Sequence, residues 1–131
     1  GPEQNDYMIE KFQSVKAIKG QLEHGYRYFI VSLDGINLGF LAFYPRNNAL
    51  YLSKFYLYAE HRGKGYASHI IGFLKEMAAE LGLKSIELNV NKYNISCRIY
   101  EALGFKKIRS EKNDIGSGFF MDDYVYSLVL Y

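Results

Sequence analysis

The stretch YLSKFYLYAEHRGKGYASHIIGFLKEMA, residues 51–78, contains the transition around which this chain is organised. An apolar, aromatic run meets a short turn, and the turn opens into a segment with the apolar spacing of an amphipathic helix. The turn carries two glycines and two cations in Arg62, Gly63, Lys64, Gly65, Tyr66 and Ala67. The first N–H groups of a helix are unpaired and partly positive, and glycine lets an anion approach the backbone closely. The pattern indicates either a phosphate site at a helix start or a plain strand-to-helix turn with two solvated cations.

The composition is typical of one globular domain. The chain has 131 residues, of which 49% are hydrophobic, and this is enough to bury a core. A single cysteine, Cys97, excludes an internal disulfide framework and a cysteine metal cluster. The net charge of +2 is too small to favour nucleic acid or an acidic membrane. No apolar run reaches the roughly 20 residues that span a bilayer, and residues 1–6 have neither the basic region nor the apolar core of a signal peptide, so we expect none. We therefore expect a cytoplasmic protein with no nucleic-acid, membrane or metal partner.

The first half of the chain predicts a helix followed by an antiparallel meander. Apolar spacing predicts the helix over residues 6–23. Three strands follow, over residues 26–33, 38–44 and 49–58. Asp34-Gly35 is a strong hairpin signal, and residues 45–48, Pro-Arg-Asn-Asn, predict the next turn.

The second half predicts a parallel connection and a final hairpin. A helix over residues 65–81, ended by Gly82, has the length of a crossover. The strand predicted over residues 85–90 should therefore lie parallel to the preceding strand in a βαβ unit. A second helix, capped by Asn94 or Ser96, should end at Leu103. Strands over residues 105–112 and 119–130, with a loop at 113–118, predict the hairpin.

Two motifs resemble the signatures of a known family. The first is Arg62-Gly63-Lys64-Gly65-Tyr66-Ala67, and the second consists of Asn94, Tyr100 and Gly104-Phe105. Because both stand in the right order with a helix and a strand between them, residues 26–130 resemble the GNAT superfamily of N-acetyltransferases. The resemblance implies transfer of an acetyl group from acetyl-CoA to a primary amine by direct attack on the thioester. It also implies an α+β fold, with a mixed, mostly antiparallel central sheet, a parallel βαβ unit at the cofactor site and helices on both faces.

The resemblance also assigns roles to residues. It implies that Arg62, Gly63, Lys64, Gly65, Tyr66 and Ala67 bind the pyrophosphate of the cofactor. The main chain of Phe55, Tyr56 and Leu57 would bind its pantetheine arm, with Asn94 as a further contact. Tyr100 matches the family's general acid, since a phenol is protonated at pH 7 and can donate to a departing thiolate. Structural alternatives stay open, because Tyr100 can be a half-buried aromatic, and Phe55 and Leu57 can be plain core.

Departures from the family pattern concern the base, the N-terminus and the acceptor. Several relatives carry a glutamate base where this chain has Asn89, which cannot accept a proton, and this disfavours protein N-termini as acceptors. The start Gly1-Pro2, without Met, resembles the scar of a removed tag, and the family's usual first strand and helix are expected to be missing. Residues 1–131 are then one domain whose acceptor site is incomplete or is completed by a second chain in a homodimer.

The acceptor that the resemblance implies is a small amine or a protein amine. Asp114, Asp122 and Asp123 either attract a cationic amine or form a solvated hairpin edge. Strand alternation points Asp122 and Asp123 to opposite faces. Two other functions remain open, namely a non-catalytic acyl-CoA-binding module and an unrelated α/β domain that binds another phosphorylated ligand.

Overall fold

The computed structural model describes residues 7–11, 25–116 and 118–130, which form a sheet with two α-helices packed on it. The strands are β1 (Tyr7–Lys11), β2 (Arg27–Leu33), β3 (Ile36–Arg46), β4 (Ala49–Leu57), β5 (Ser85–Asn91), β6 (Lys106–Gly116) and β7 (Phe119–Val129). The helices are α1 (Tyr66–Glu80) and α2 (Ser96–Ala102), and a 3₁₀ turn at Ala59–His61 follows β4. No helix in these described residues is long and apolar enough to cross a membrane.

The strand order confirms the predicted fold class. The described strands form one seven-stranded sheet in the order β1-β2-β3-β4-β5-β7-β6. Neighbours in the sheet are antiparallel except for β4 and β5, which are parallel and are joined through α1. A parallel pair needs such a crossover, because its second strand must start again at the same end of the sheet. This is the predicted βαβ unit in a mixed, mostly antiparallel sheet.

Two hairpin turns show what the sequence resolved and what it missed. Asp34 and Gly35 both have positive φ, 51° and 80°, as a two-residue hairpin turn requires. The four-residue turn predicted at 45–48 is wrong, since only Asn47 and Asn48 turn, with φ of 51° and 65°. Asparagine tolerates this conformation, so the strands continue to the turn and Pro45 pairs with Leu50. The loop predicted at 113–118 is likewise too long, because β6 extends to residue 116.

The helix predicted over residues 6–23 is wrong at its start. Tyr7–Lys11 forms β1, which pairs antiparallel with β2 from Tyr7 opposite Leu33 to Lys11 opposite Phe29. Short apolar spacing does not separate a helix from a strand, whereas the open edge of β2 favours a strand partner. A strand therefore precedes the hairpin, although the resemblance led us to expect the first strand to be missing. Residues 12–24, and with them the expected helical cover of the second face, lie outside the described residues.

Both described helices pack on the same face of the sheet. Helix α1 directs Ile70, Ile71, Leu74 and Ala78 into the core, each at most 2% exposed. Its Phe73 ring meets Phe29 of β2 edge-on at 5.4 Å, while Tyr100 of α2 lies 6.5 Å from Tyr126 of β7. We call this side the helix-covered face and the other side the opposite face. Side chains alternate between the two faces along every strand, so neighbours such as Leu88 and Asn89 point to different sides.

Candidate active site

A gap opens in the sheet between β4 and β5. The two strands pair only from Ala49–Ser85 to Tyr51–Glu87, although they continue to Leu57 and Asn91. The cause is a bulge at Ser53 of β4. On β3, Ala42 and Phe43 are consecutive, but their partners on β4 are Lys54 and Leu52, so Ser53 is an extra residue between them. A bulge of this kind bends its strand and ends regular pairing. The bulge therefore turns the second half of β4 away from β5.

The backbone of β4 along the gap has an edge without strand pairing. The Tyr58 N–H donates to the Leu38 carbonyl on β3 at 2.9 Å. Because peptide groups alternate in direction along an antiparallel strand, those of Phe55 and Leu57 face the gap and those of Tyr56 face β3. Gly39 of β3 allows this approach, since a Cβ there would lie 1.9 Å from the Tyr56 carbonyl oxygen. Along this half of β4, main-chain groups thus supply hydrogen-bonding capacity to the gap.

The glycine-rich loop lies between the end of β4 and the start of α1. Gly63 and Gly65 have φ of 73° and 81°, which glycine adopts without strain. A Cβ built on either one meets nothing within 4 Å, so there is open space beside the loop. Gly65 is the N-cap and supplies no side-chain hydrogen bond, and the first turn of α1 contains no acidic residue. The N–H groups of this helix start therefore have no side-chain cap from Gly65 and lie beside open space that an anion can enter.

Arg62 connects this loop to the gap. Its Nε donates to the Leu57 carbonyl at 2.8 Å, and its guanidinium lies 5.1 Å from the centre of the Tyr56 ring. Lys64 is exposed beside it. The loop thus carries one cation that is anchored to the end of β4 and one that extends into solvent. Tyr66 and Ala67 form the first turn of α1.

A cavity of about 260 Å³ occupies the gap. Its lining comes from β4, β5 and the region of α2, and consists of Leu52, Ser53, Phe55, Leu88, Asn89, Val90, Asn91, Asn94, Ser96 and Tyr100. Of the residues predicted to bind the cofactor or to act in catalysis, Phe55, Asn94 and Tyr100 meet here. Tyr56 and Leu57 do not line the cavity. The sequence reasoning missed Ser53, because nothing local marks a bulge within a run of strand-forming residues.

Tyr100 presents a protonated hydroxyl in the cavity wall. Its ring packs edge-on against Phe105 at 5.6 Å. Burial raises the pKa of Tyr100 to about 12, because the phenolate would lose its hydration. Within the described part of the chain, its hydroxyl has no hydrogen-bond partner. It therefore keeps its proton at neutral pH and has a donor to offer.

Asn94 is partly committed to local structure. Its Oδ1 accepts a hydrogen bond from the Ser96 N–H at 2.8 Å, and its own N–H donates to the Asn91 carbonyl at 2.9 Å. These bonds hold the start of α2 against the end of β5. The amide nitrogen of Asn94 is the part of the side chain with capacity for a ligand.

On the opposite face, Asn89 joins two carboxylates. Its Oδ1 accepts from the Tyr51 hydroxyl at 2.9 Å. Its Nδ2 donates to Glu111 Oε1 at 3.1 Å and to Asp123 Oδ2 at 3.3 Å. Asp122, by contrast, pairs with Lys92 Nζ at 3.1 Å, as expected if neighbouring aspartates point to different faces. The Asp114 side chain lies outside the described residues. Glu111 was missed, because its place opposite Asp123 depends on a register shift at Lys107/Arg109.

The comparison with protein families decides which of the functional classes applies. Residues 2–105 match the family model described as the acetyltransferase (GNAT) family. The chain belongs to the GNAT acetyltransferase family. Membership confirms the predicted resemblance, and acetyl-CoA is the acetyl donor of this family. The match covers the gap, the glycine-rich loop and α2.

Individual GNAT relatives agree with this assignment. The chain is 34% identical over 65 residues to an uncharacterized N-acetyltransferase, YycN, of Bacillus subtilis (strain 168). The matched segment is 49% of this chain and 41% of that protein. The chain thus matches less than half the length of this relative. A Bacillus subtilis acetyltransferase in complex with CoA has a similar fold, with a TM-score of 0.73 and 13% identity over 98% of this chain and 100% of that one. The spermidine/spermine N-acetyltransferase SpeG of Vibrio cholerae gives a TM-score of 0.76 and 16% identity over 94% of this chain and 92% of that one.

Proposed function

We propose that this protein is an acetyl-CoA-dependent N-acetyltransferase that acetylates a primary amine. The observation that carries the proposal is the gap between β4 and β5, with an uncapped helix start beyond it and a tyrosine hydroxyl in its wall. An anionic pyrophosphate suits the helix start, and an amide-containing arm suits main-chain groups that have no strand partner. The same three features support the fit of acetyl-CoA to these residues.

We assign the binding of this cofactor to the following groups. The main chain of Arg62, Gly63, Gly65, Tyr66 and Ala67 and the exposed cation of Lys64 would hold the pyrophosphate. The gap-facing peptide groups of Phe55 and Leu57 would hold the pantetheine arm, and the Asn94 amide nitrogen would add a contact. For Tyr56 we propose a supporting role instead of a main-chain contact with the pantetheine arm. Its peptide groups face β3, and its ring lies under the Arg62 guanidinium.

Acetyl-CoA, when bound, would supply an activated acyl group, and Tyr100 would supply a hydrogen-bond donor from the cavity wall. Since burial holds the Tyr100 pKa at about 12, the hydroxyl keeps its proton over the whole physiological range. The apolar side chains of Leu52, Leu88 and Val90, each at most 6% exposed, pack behind the cavity wall and bury the Tyr100 ring side of it.

The acceptor that we propose is a small amine, with a protein amine as the second class. The support is the structural likeness to the Vibrio cholerae enzyme, which acts on spermidine and spermine, and the carboxylates on the opposite face. A cytoplasmic location and a homodimer are part of this proposal, and light scattering of the purified chain tests the assembly state.

Calorimetric titration with acetyl-CoA tests the cofactor. We expect micromolar binding by the wild type and its loss in Gly65→Glu, whose carboxylate would repel the pyrophosphate. Gly65→Asn, which tolerates the positive φ of 81° and adds no charge, separates strain from repulsion. Gly72→Glu is the matched control, because it places the same side chain on α1 in open space away from the helix start. Equal binding by Gly65→Glu and Gly72→Glu would contradict the assignment.

Turnover is tested next with an acceptor screen that begins with polyamines and peptides that have free N-termini. Release of the CoA thiol, measured with a chromogenic disulfide, reports the reaction. Thiol release that depends on an added amine supports the transferase. Tight acetyl-CoA binding without amine-dependent release from any acceptor would instead favour a binding module.

A further inference from the structure

Asp123 of β7 is a buried carboxylate with few partners. Its residue is 8% exposed. One oxygen, Oδ2, accepts a hydrogen bond from Asn89 Nδ2 at the long distance of 3.3 Å. In the part of the chain that the structure describes, Oδ1 accepts no hydrogen bond and no cation lies within 4.0 Å of either oxygen. A buried charge is unfavourable unless it is paired and hydrogen-bonded, so Asp123 has capacity for a positively charged donor.

The neighbouring cations are engaged with other groups, and the Arg46 guanidinium lies over the Tyr51 ring at 3.9 Å. Glu111 lies directly opposite Asp123 in the sheet, and like charges in this position repel. Both oxygens of Glu111 are already used, by Asn89 Nδ2 and by Arg109 Nε, each at 3.1 Å. These hydrogen bonds, that from Asn89 first, lower the pKa of Glu111 and keep it ionised. Arg109 in turn faces Glu87 at 3.9 Å, so its charge is shared between two other carboxylates.

Asp123 is connected to the gap through Asn89. Asn89 lines the cavity between β4 and β5, and the same residue holds Asp123 on the opposite face. Asn89 cannot turn towards a ligand, because its oxygen accepts from Tyr51 and its nitrogen donates to both carboxylates. These hydrogen bonds hold Asn89 in place and keep Asp123, on the strand next to β5, within 3.3 Å of a residue that lines the cavity. Among the described residues the second oxygen of Asp123 has no partner, so it can accept from a cation held beside Asn89 on this face.

We propose that Asp123 is the residue that selects the acceptor, by accepting a hydrogen bond from its primary ammonium group. Asn89 and Tyr51 are positioning residues, since they act by holding Asp123. The acceptor class is accordingly an alkylamine that is cationic when it binds, rather than a neutral arylamine or an alcohol. This inference rests on the proposed function, because it names the substrate class of the same site.

Two neighbouring aspartates make a matched test. Asp123→Asn removes the charge next to Asn89 with little change of shape, and Asp122→Asn removes the same charge from the other face. Each variant of the full chain is titrated by calorimetry without acetyl-CoA. The probes are tyramine and 1,4-diaminobutane, each compared with the alcohol that replaces its ammonium, 4-(2-hydroxyethyl)phenol or 1,4-butanediol. Thermal unfolding checks that each variant folds, and Asp123→Glu, which keeps the charge, is the second variant should Asp123→Asn fail to fold.

We expect the wild type and Asp122→Asn to bind the amines at least tenfold more tightly than the alcohols. Asp123→Asn should bind the amines about ten- to hundredfold more weakly and the alcohols unchanged, as expected for one lost hydrogen bond to a charged group. Asp123→Glu should bind the amines with intermediate affinity. Where turnover is measured, the loss should raise KM for the amine more than it lowers kcat.

Three results would overturn the inference. The first is that Asp123→Asn and Asp122→Asn bind the amines with equal affinity. The second is that the wild type binds the amines no more tightly than the alcohols. The third applies if Asp123→Asn does not fold, and it is that Asp123→Glu binds the amines as tightly as the wild type does. A wild type that fails to bind acetyl-CoA would overturn the proposed function alone, since the amine titrations contain no acetyl-CoA.

Discussion

Replacing Tyr100 by Phe removes one oxygen atom from the cavity wall and leaves the ring in place. The ring contact with Phe105 at 5.6 Å should persist, because it involves no polar atom. The hydroxyl has no hydrogen-bond partner among the described residues, so its loss breaks no bond within that part of the protein. We therefore expect the free energy of unfolding to change by less than about 1 kcal/mol, which corresponds to about 3 °C in Tm.

The effect on the reaction should be far larger than the effect on stability. A positioned acid contributes about 10²–10⁴ in rate, so kcat of Tyr100→Phe should fall by about that factor. The affinity for acetyl-CoA, measured by calorimetry, should stay within about threefold of the wild type, since the proposed binding groups are elsewhere. The assay is steady-state release of the CoA thiol with the best amine from the screen.

Tyr93→Phe is the matched control. It removes the same atom from a tyrosine that precedes α2 but is 84% exposed, and it should retain wild-type kcat. Wild-type kcat in Tyr100→Phe would refute the acid role. A parallel loss of acetyl-CoA affinity would show that the hydroxyl binds the cofactor rather than assisting the reaction.

Three further perturbations follow from the structure. Gly39→Ala should lower the free energy of unfolding by about 3 kcal/mol or more in chemical denaturation, because its Cβ would lie 1.9 Å from the Tyr56 carbonyl oxygen. Gly72→Ala is the control, and it should raise the free energy of unfolding by about 0.5–1 kcal/mol, because its Cβ would enter open space on a helix. Leu74→Ala, at a site with 0% exposure, should cost about 2–5 kcal/mol, and a loss below 1 kcal/mol would contradict the packing of α1. The Tyr100 pKa is raised from 10.0 to about 12, so its contribution to stability is complete below pH 10 and declines as pH rises towards 12. Wild type should therefore lose more stability than Tyr100→Phe over that interval, and parallel pH profiles would contradict a buried phenol.

The comparison between sequence and structure differs from element to element. Helix α1 could be predicted because its periodicity, its crossover length and its terminal Gly82 are all local signals, and the structure ends it with Gly82 at φ 71°. The hairpin at Asp34-Gly35 is equally local. Strand β1 was predicted as helix, because a five-residue apolar pattern has no preference that outweighs pairing with the edge of β2.

Some features of the candidate site could likewise be predicted from the sequence, and others could not. The motif residues Arg62 to Ala67, Asn94 and Tyr100 stand out in the sequence, because their types and spacing are fixed along one continuous segment or one helix turn. The gap could not be predicted, since it depends on a bulge at Ser53 that changes the pairing of β4 with β3. The network of Asn89, Glu111 and Asp123 joins three strands, and the place of Glu111 opposite Asp123 depends on the β6–β7 register shift at Lys107/Arg109.

The sequence by itself therefore determined the family, the order of most strands and helices, and the residue types at the loop and on α2. Those features depend on neighbours within a few residues, and short-range steric and hydrogen-bonding preferences specify them. The tertiary structure alone decided where β4 leaves β5, which peptide groups face the gap, and that Asn89 in the cavity wall holds a buried Asp123. These features arise from pairing between distant strands, where shifting the register by one residue moves every side chain to the other face.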